Sequence, residues 1–230
     1  MSQSNSIPSQ HSFWRDVNAT RFITATLGVL LALGGIDHGF FEFLQGNAQT
    51  GGLFIHSIGA HNQMWAYGTE DALTLLPTFM ASGIAAMSIS LLIAVWSIRF
   101  VHKRYGSLVF LLLSITLFLV GGGVAQVVYF LLAWALSTRI DRPFTGLLAL
   151  LPEGVREPLG RLWLWLLAAF ALVSLFALDI AIAGYVPGVS EPLLVLHTCW
   201  SLLGVGLGFL VLAIACGFVH DADRQAAQTR

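Results

Sequence analysis

Residues 107–137 read SLVFLLLSITLFLVGGGVAQVVYFLLAWALS, an uncharged apolar run with Gly121, Gly122 and Gly123 at its centre. As one helix it would be about 46 Å long, against a hydrocarbon core of roughly 30 Å. As one crossing it would also carry Arg139, Arg142, Arg156 and Arg161 to the side opposite the other bases, against the positive-inside tendency. Three consecutive glycines cost a helix interior roughly 1 kcal/mol each relative to alanine. The run therefore predicts two short helices meeting at the glycines in a tight reversal, with both ends on the side they left. Each arm spans only about 21 Å, so the hairpin must be tilted, re-entrant or shielded by its neighbours.

Working outward, residues 21–44, 72–98, 162–185 and 193–219 are four further apolar stretches, each long enough to span as a helix of roughly 20 residues. Pro77 falls in the first turns of the second, or kinks it. The chain is 57% hydrophobic and 10% charged, where a soluble domain carries about 25% charge. The expected fold is all-α: a polytopic transmembrane bundle of about six membrane helices, including the short hairpin at the glycines. Residues 1–20 and 220–230 read as polar tails flanking a single membrane domain at 21–219. The first apolar stretch is too long and too polar for a cleaved signal peptide, since it holds Asp37, His38 and Glu42. Residues 145–159, with four leucines before their acids, read as an interfacial segment or a packed loop.

With the hairpin in place, all eleven Lys and Arg fall at one side of the membrane. Both termini are then expected in the cytoplasm. Trp96, Trp134, Trp163 and Trp165 would mark the inner boundary and Trp65, Tyr67 and Tyr185 the outer one.

The titratable groups fall on the other side. Asp37, His38, Glu42, His56, His61, Glu70, Asp71, Asp179, Glu191 and His197 share the outer half without a single Lys or Arg. A carboxylate at mid-bilayer costs roughly 2.5–3.5 kcal/mol on insertion scales, so such groups face the bundle interior or water. His38 and Glu42, at i and i+4, share a helix face. Asp37 points about 100° away. Glu70 and Asp71 fit a solvated first helical turn, where acids suit the dipole.

Several readings of this cluster stand side by side. The groups can be hydrogen-bonding glue between helices. They can relay a proton or cation in transport, with His38, Glu42, Asp37, Asp179 and His197 as the binding set. They can ligate a transition metal through His38, Glu42, His56, His61 and His197, or a haem through histidine, in a redox enzyme or subunit. An organic ligand in the outer cavity is the fourth. As loop residues, His56 and His61 also fit plain solvent exposure. The expected surroundings are the lipid bilayer, with other membrane subunits or further copies as partners and no nucleic acid.

Gly35 and Gly39, and Gly204 and Gly208, form GxxxG pairs that would let the first and last helices approach closely. Cys199 and Cys216 are about 25 Å apart along one helix, which rules out a disulfide between them within it. The only lysine, Lys103, lies in a loop, which excludes a retinal Schiff base in a span; no P-loop or dinucleotide-binding glycine pattern occurs.

The run Gly34-Gly35-Ile36-Asp37-His38-Gly39-Phe40-Phe41-Glu42-Phe43-Leu44-Gln45-Gly46-Asn47, with the later glycine triplet, resembles a group of bacterial multi-spanning membrane proteins over roughly the first 140 residues. The resemblance implies a bacterial inner-membrane location and a helical bundle. It carries no activity or cofactor.

Overall fold

The computed structural model describes residues 16–142, 144, 146 and 151–228. Among them are six α-helices and three short strands: α1 (Ala19–Leu44), β1 (Phe54–His56), β2 (Asp71–Thr74), α2 (Phe79–Arg99), α3 (Gly106–Leu119), β3 (Val120–Gly123), α4 (Val127–Ser137), α5 (Glu153–Ala183) and α6 (Pro192–Gln228). Four of the helices, α1, α2, α5 and α6, are long and apolar enough to cross a membrane; α3 and α4 are shorter and apolar. Leu91, Val95, Leu112, Leu131, Leu172 and Val211 stand more than half exposed around the bundle. An outward apolar surface on every helix of this kind suits lipid, not water. The chain is an all-α membrane-spanning bundle with a small sheet at one end.

Two units make up the bundle. α1 packs along α2, and the α3–α4 hairpin leans on both. Gly39 lets α1 and α2 meet, since a Cβ there would strike the backbone of Gly83 and the side chain of Met87. α5 and α6 pack chiefly on each other. Gly204 and Gly208 face open space, so the second GxxxG pair brings no helix close. Where α6 does approach α1 it uses Gly217, beside Ile23 and Ala19.

The break at the glycines is real, but it is not a simple turn. β3 is the third strand of an antiparallel sheet ordered β1-β2-β3, and a single 3-10 turn at Val124–Gln126 leads into α4. Non-helical backbone at this depth is tolerable only when buried and paired. Gly121, Gly122 and Gly123 are all buried, and Leu75 N–H donates to the carbonyl of Leu119 as α3 ends (2.9 Å). The arms do return to one end: Asn18, the N-cap of α1, donates from Nδ2 to the carbonyl of Ile140 just past α4 (2.5 Å).

The second span needs a correction. Residues expected to open a helix at 72 form β2, and α2 begins only at Phe79. Thr78 is extended and caps α2 by accepting from Ala81 N–H (3.3 Å). Pro77 therefore precedes the helix and kinks nothing. It also biases Leu76 away from helical backbone. Glu70 and Asp71 consequently occupy no helical turn.

α5 starts nine residues before its expected span and holds Glu153 onward in helix; residues 145 and 147–150 of the anticipated interfacial segment lie outside the described residues. α6 continues through His220 and Asp221 to Gln228. Trp163, expected in an aromatic belt, is only 2% exposed and fills the core.

Candidate proton-holding site

The site is assembled by strand register. β1 and β2 pair Phe54 with Leu73, Ile55 with Ala72 and His56 with Asp71. One step further, Ser57 N–H donates to the carbonyl of Glu70 (2.9 Å). Side chains alternate across a strand, so Ile55 and Ser57 turn inward and are buried while Phe54 and His56 turn outward. The ladder thus delivers Ser57 and Glu70 together onto α1. Gln45 steadies the Ser57 backbone by donating to its carbonyl (2.7 Å).

Beneath them lie His38 and Glu42, one helical turn apart on α1 and 2% and 0% exposed. β3 presses on the same face. A Cβ on Gly123 would land on the His38 ring, and one on Gly121 would land on the Glu42 carboxylate. Gly121 also has φ +113°, a conformation side chains other than glycine rarely take. Gly121 and Gly123 are glycine because the strand runs directly over two polar side chains; a Cβ on Gly122 between them would strike Leu117.

Four side chains form a continuous chain. Ser57 Oγ lies 3.1 Å from Glu42 Oε1. His38 Nδ1 lies 2.8 Å from Ser57 Oγ. His38 Nε2 meets the Glu70 carboxylate, which is 32% exposed and marks the open end. Burial pushes the Glu70 carboxyl up, but the hydrogen bond from His38 and its charge together outweigh that and hold it below the ordinary value. Glu42 Oε2 is buried without a hydrogen-bond partner among the described residues. Nearby on α2, Ser82 Oγ reaches Thr74 Oγ1 (2.8 Å) and the carbonyl of Val120 (3.0 Å), continuing the polar track behind Glu42.

The heavy atoms admit two proton arrangements. In one, His38 carries both ring protons, Nδ1–H donates to Ser57 Oγ, and Ser57 donates to a Glu42 carboxylate. In the other, Glu42 is protonated and donates to Ser57, Ser57 donates to a neutral Nδ1, and Nε2–H still faces Glu70. Both hold the same number of protons and both carry a net charge of −1 with Glu70 ionised. They interconvert by moving two protons along existing hydrogen bonds. No heavy atom has to move.

The other expected site residues are placed apart from this chain. Asp37 is half-buried beside it; His56 is exposed and pairs with Asp71 across the ladder (2.8 Å). His61, Asp179 and His197 are exposed. Among the described residues no group of three or more His, Cys, Asp or Glu gathers so as to hold a metal ion. His38 is also ill-suited to a haem, since both ring nitrogens are engaged by Ser57 and Glu70 and an axial imidazole needs one of them for iron.

Ser57 and Glu70 were missed as partners. The faint signal was alternation: Phe54-Ile55-His56-Ser57 and Glu70-Asp71-Ala72-Leu73 are strand-like stretches, but only pairing tells which residue of each points inward. Two more missed residues sit at the basic end. Asp221, fully buried, accepts from Ala19 N–H (2.8 Å), Thr20 N–H (2.8 Å) and Thr20 Oγ1 (2.7 Å). It satisfies the orphan donors of the first turn of α1 from another helix. The ring nitrogens of His220 lie 3.2 Å from the carbonyl of Gly160 and 3.1 Å from that of Val17, joining α5, α6 and the start of α1.

At the opposite end Trp65 Nε1 donates to the carbonyl of Ala181 (2.9 Å), and its ring covers Gly184, the left-handed C-cap of α5. The α5–α6 unit is thus tied to the rest of the bundle at both ends. Between the ties lies a cavity of about 430 Å³ whose lining includes Leu31, Gln126, Tyr129, Phe170 and Trp200, with Glu70 at its edge.

Comparison with protein-family models, with curated proteins and with solved structures finds no match. Fold and site together define a membrane-spanning helical bundle with a buried acid–serine–imidazole–acid chain under a sheet at one end.

Proposed function

We propose that this protein binds and relays protons at the His38 site in the service of transport across a bacterial inner membrane. The observation that carries the reading is the unbroken chain Glu42–Ser57–His38–Glu70, buried at three members and open at the fourth. Intramembrane acids and histidines of this kind serve as proton relays. The positive-inside tendency puts the basic end in the cytoplasm. There α1 begins and α6 ends against each other through Asp221. On that orientation both termini are cytoplasmic and the proton site faces outward.

The test is proton flux in liposomes holding the purified full-length protein, a trapped pH dye and a potassium diffusion potential. Flux above that of empty liposomes is expected, with loss of most of it in His38→Ala and Ser57→Ala at unchanged protein incorporation. Flux equal to that of empty liposomes, or flux indifferent to both substitutions, overturns the reading. Those substitutions would then lower thermal stability only, as for a non-catalytic subunit of a larger complex.

A further inference from the structure

We infer that the cavity between the α5–α6 unit and the rest of the bundle is a binding site for a lipophilic ammonium cation, with Glu70 and Gln126 holding its charged head. The inference rests on the proton reading and deepens it, because it names what competes with protonated His38 for the Glu70 carboxylate.

Four observations point to that class. First, two of the polar side chains lining the cavity, Glu70 and Gln126, bring acceptors to it beside the hydroxyls of Tyr129 and Ser174. Gln126 lines it, and its Oε1 is buried with no hydrogen-bond partner among the described residues. Glu70 adds a carboxylate at the edge. An unmet buried acceptor is costly, typically about 1–3 kcal/mol, and a ligand N–H removes that cost. Second, the site carries net charge −1 in both proton arrangements derived above. The connections at this end, residues 45–78 and 184–191, contain no Lys or Arg. A monovalent cation balances the charge; an anion does not. Third, the lining is aromatic and apolar, with Tyr129 stacked on Phe170 (6.4 Å between centroids) and Trp200 across the cavity. Such faces attract organic cations and bury an apolar body. Fourth, the mouth is flanked by Trp200 and Val128, each more than 60% exposed on the lipid-facing surface. A lipophilic molecule can therefore enter sideways from the membrane. The volume suits a small organic ligand, for which pockets run about 300–1,000 Å³.

Binding at Glu70 would act on its neighbours. The ionisable groups around it are Asp37 and His38 of α1 and Cys199 of α6, with Glu42 reached through His38. A cation seated on the carboxylate competes with His38 for it, so cation entry and proton release are coupled.

The test is fluorescence titration of the detergent-purified full-length protein with ethidium, an aromatic cation bearing amino donors, alongside pyrenebutanol, a neutral alcohol of similar size. Saturable ethidium binding is expected, weakened about 10-fold by Gln126→Leu, the loss of roughly one hydrogen bond, and at least as much by Glu70→Gln. Gly204→Phe supplies a blocking variant, because Gly204 lines the cavity and a Cβ there meets only open space. It should keep the wild-type melting temperature and lose ethidium. Saturable pyrenebutanol binding without ethidium binding overturns the cation class. Failure of both probes to saturate, or ethidium binding unchanged in Gly204→Phe, overturns the site. The two proposals separate: proton flux without ethidium binding sinks this inference alone, whereas Glu70-dependent ethidium binding with proton release but without flux sinks the transport reading alone.

Discussion

At the residue scale, His38 and Ser57 are the informative pair, because the serine hydroxyl can both accept from and donate to its neighbours. Ser57→Ala removes the bridge between the imidazole and Glu42 while leaving each in place. It should abolish most proton flux and, by leaving a buried imidazole nitrogen and a buried carboxyl oxygen unpaired, cost about 2–3 kcal/mol, read as a lower melting temperature in a protein that still folds beside a large drop in flux. Glu70 gives a pH prediction. Its folded value lies below its ordinary one, about 4.3 for the unfolded chain. The stability it contributes is therefore fully present above that value and lost as pH falls through the lower folded value. Melting temperature measured from pH 6 down to pH 3 should decline steeply in the acid range for the wild type. Glu70→Gln should flatten that decline; an identical slope in both proteins would remove Glu70 from the account.

At the element scale, β3 and the start of α1 are the places where one atom decides how elements meet. Adding a methyl at Gly123 forces β3 away from α1 or displaces the His38 ring. Gly123→Ala should thus lose the site while the helices persist, seen as lost flux with unchanged helical circular dichroism. Alanine at Ala125, exposed and close by in the chain, shows that the constraint is local to the strand. At the other end, Asp221 binds the first turn of α1 from α6. Asp221→Ala leaves two backbone N–H groups without acceptors in a buried place. Hydrogen bonds to a charged group are worth about 1.5–3 kcal/mol, so a fall in stability of about 3 kcal/mol is expected, measured as loss of melting temperature. Asp221→Asn should recover part of it, since the amide oxygen still accepts.

At the scale of the whole molecule, the bundle is two units packed on one shared apolar core, with a cavity between them over part of their length. Polar ties add to that packing: Asp221 and His220 at one end, Trp65 against Ala181 and Gly184 at the other. The charge pattern is equally divided, with bases at the end where α1 begins and α6 finishes. That division carries the proposed orientation, through the positive-inside tendency. A tag placed after Arg230 should be shielded from added protease in intact spheroplasts and cut once they are permeabilised. Cleavage in intact cells would turn the proton site to the cytoplasm.

Much of the fold was legible because membrane insertion imposes length and charge rules on the sequence itself. Apolar runs of sufficient length, a glycine break too costly for helix, and arginines confined to alternate connections together point to about six helices, two of them a short hairpin. His38 and Glu42 were legible for the same reason: acids and imidazoles inside a span must have a purpose or a partner. What only the tertiary structure decided was the partner. Ser57 and Glu70 lie 19 and 32 positions beyond His38 in chain order, and nothing local distinguishes them from His56 and Asp71. The register of a short ladder, which depends on backbone pairing between distant segments, turns one pair inward and the other out. The cavity, too, is a tertiary feature, lined by residues of α1, α4, α5 and α6 that lie far apart in the chain.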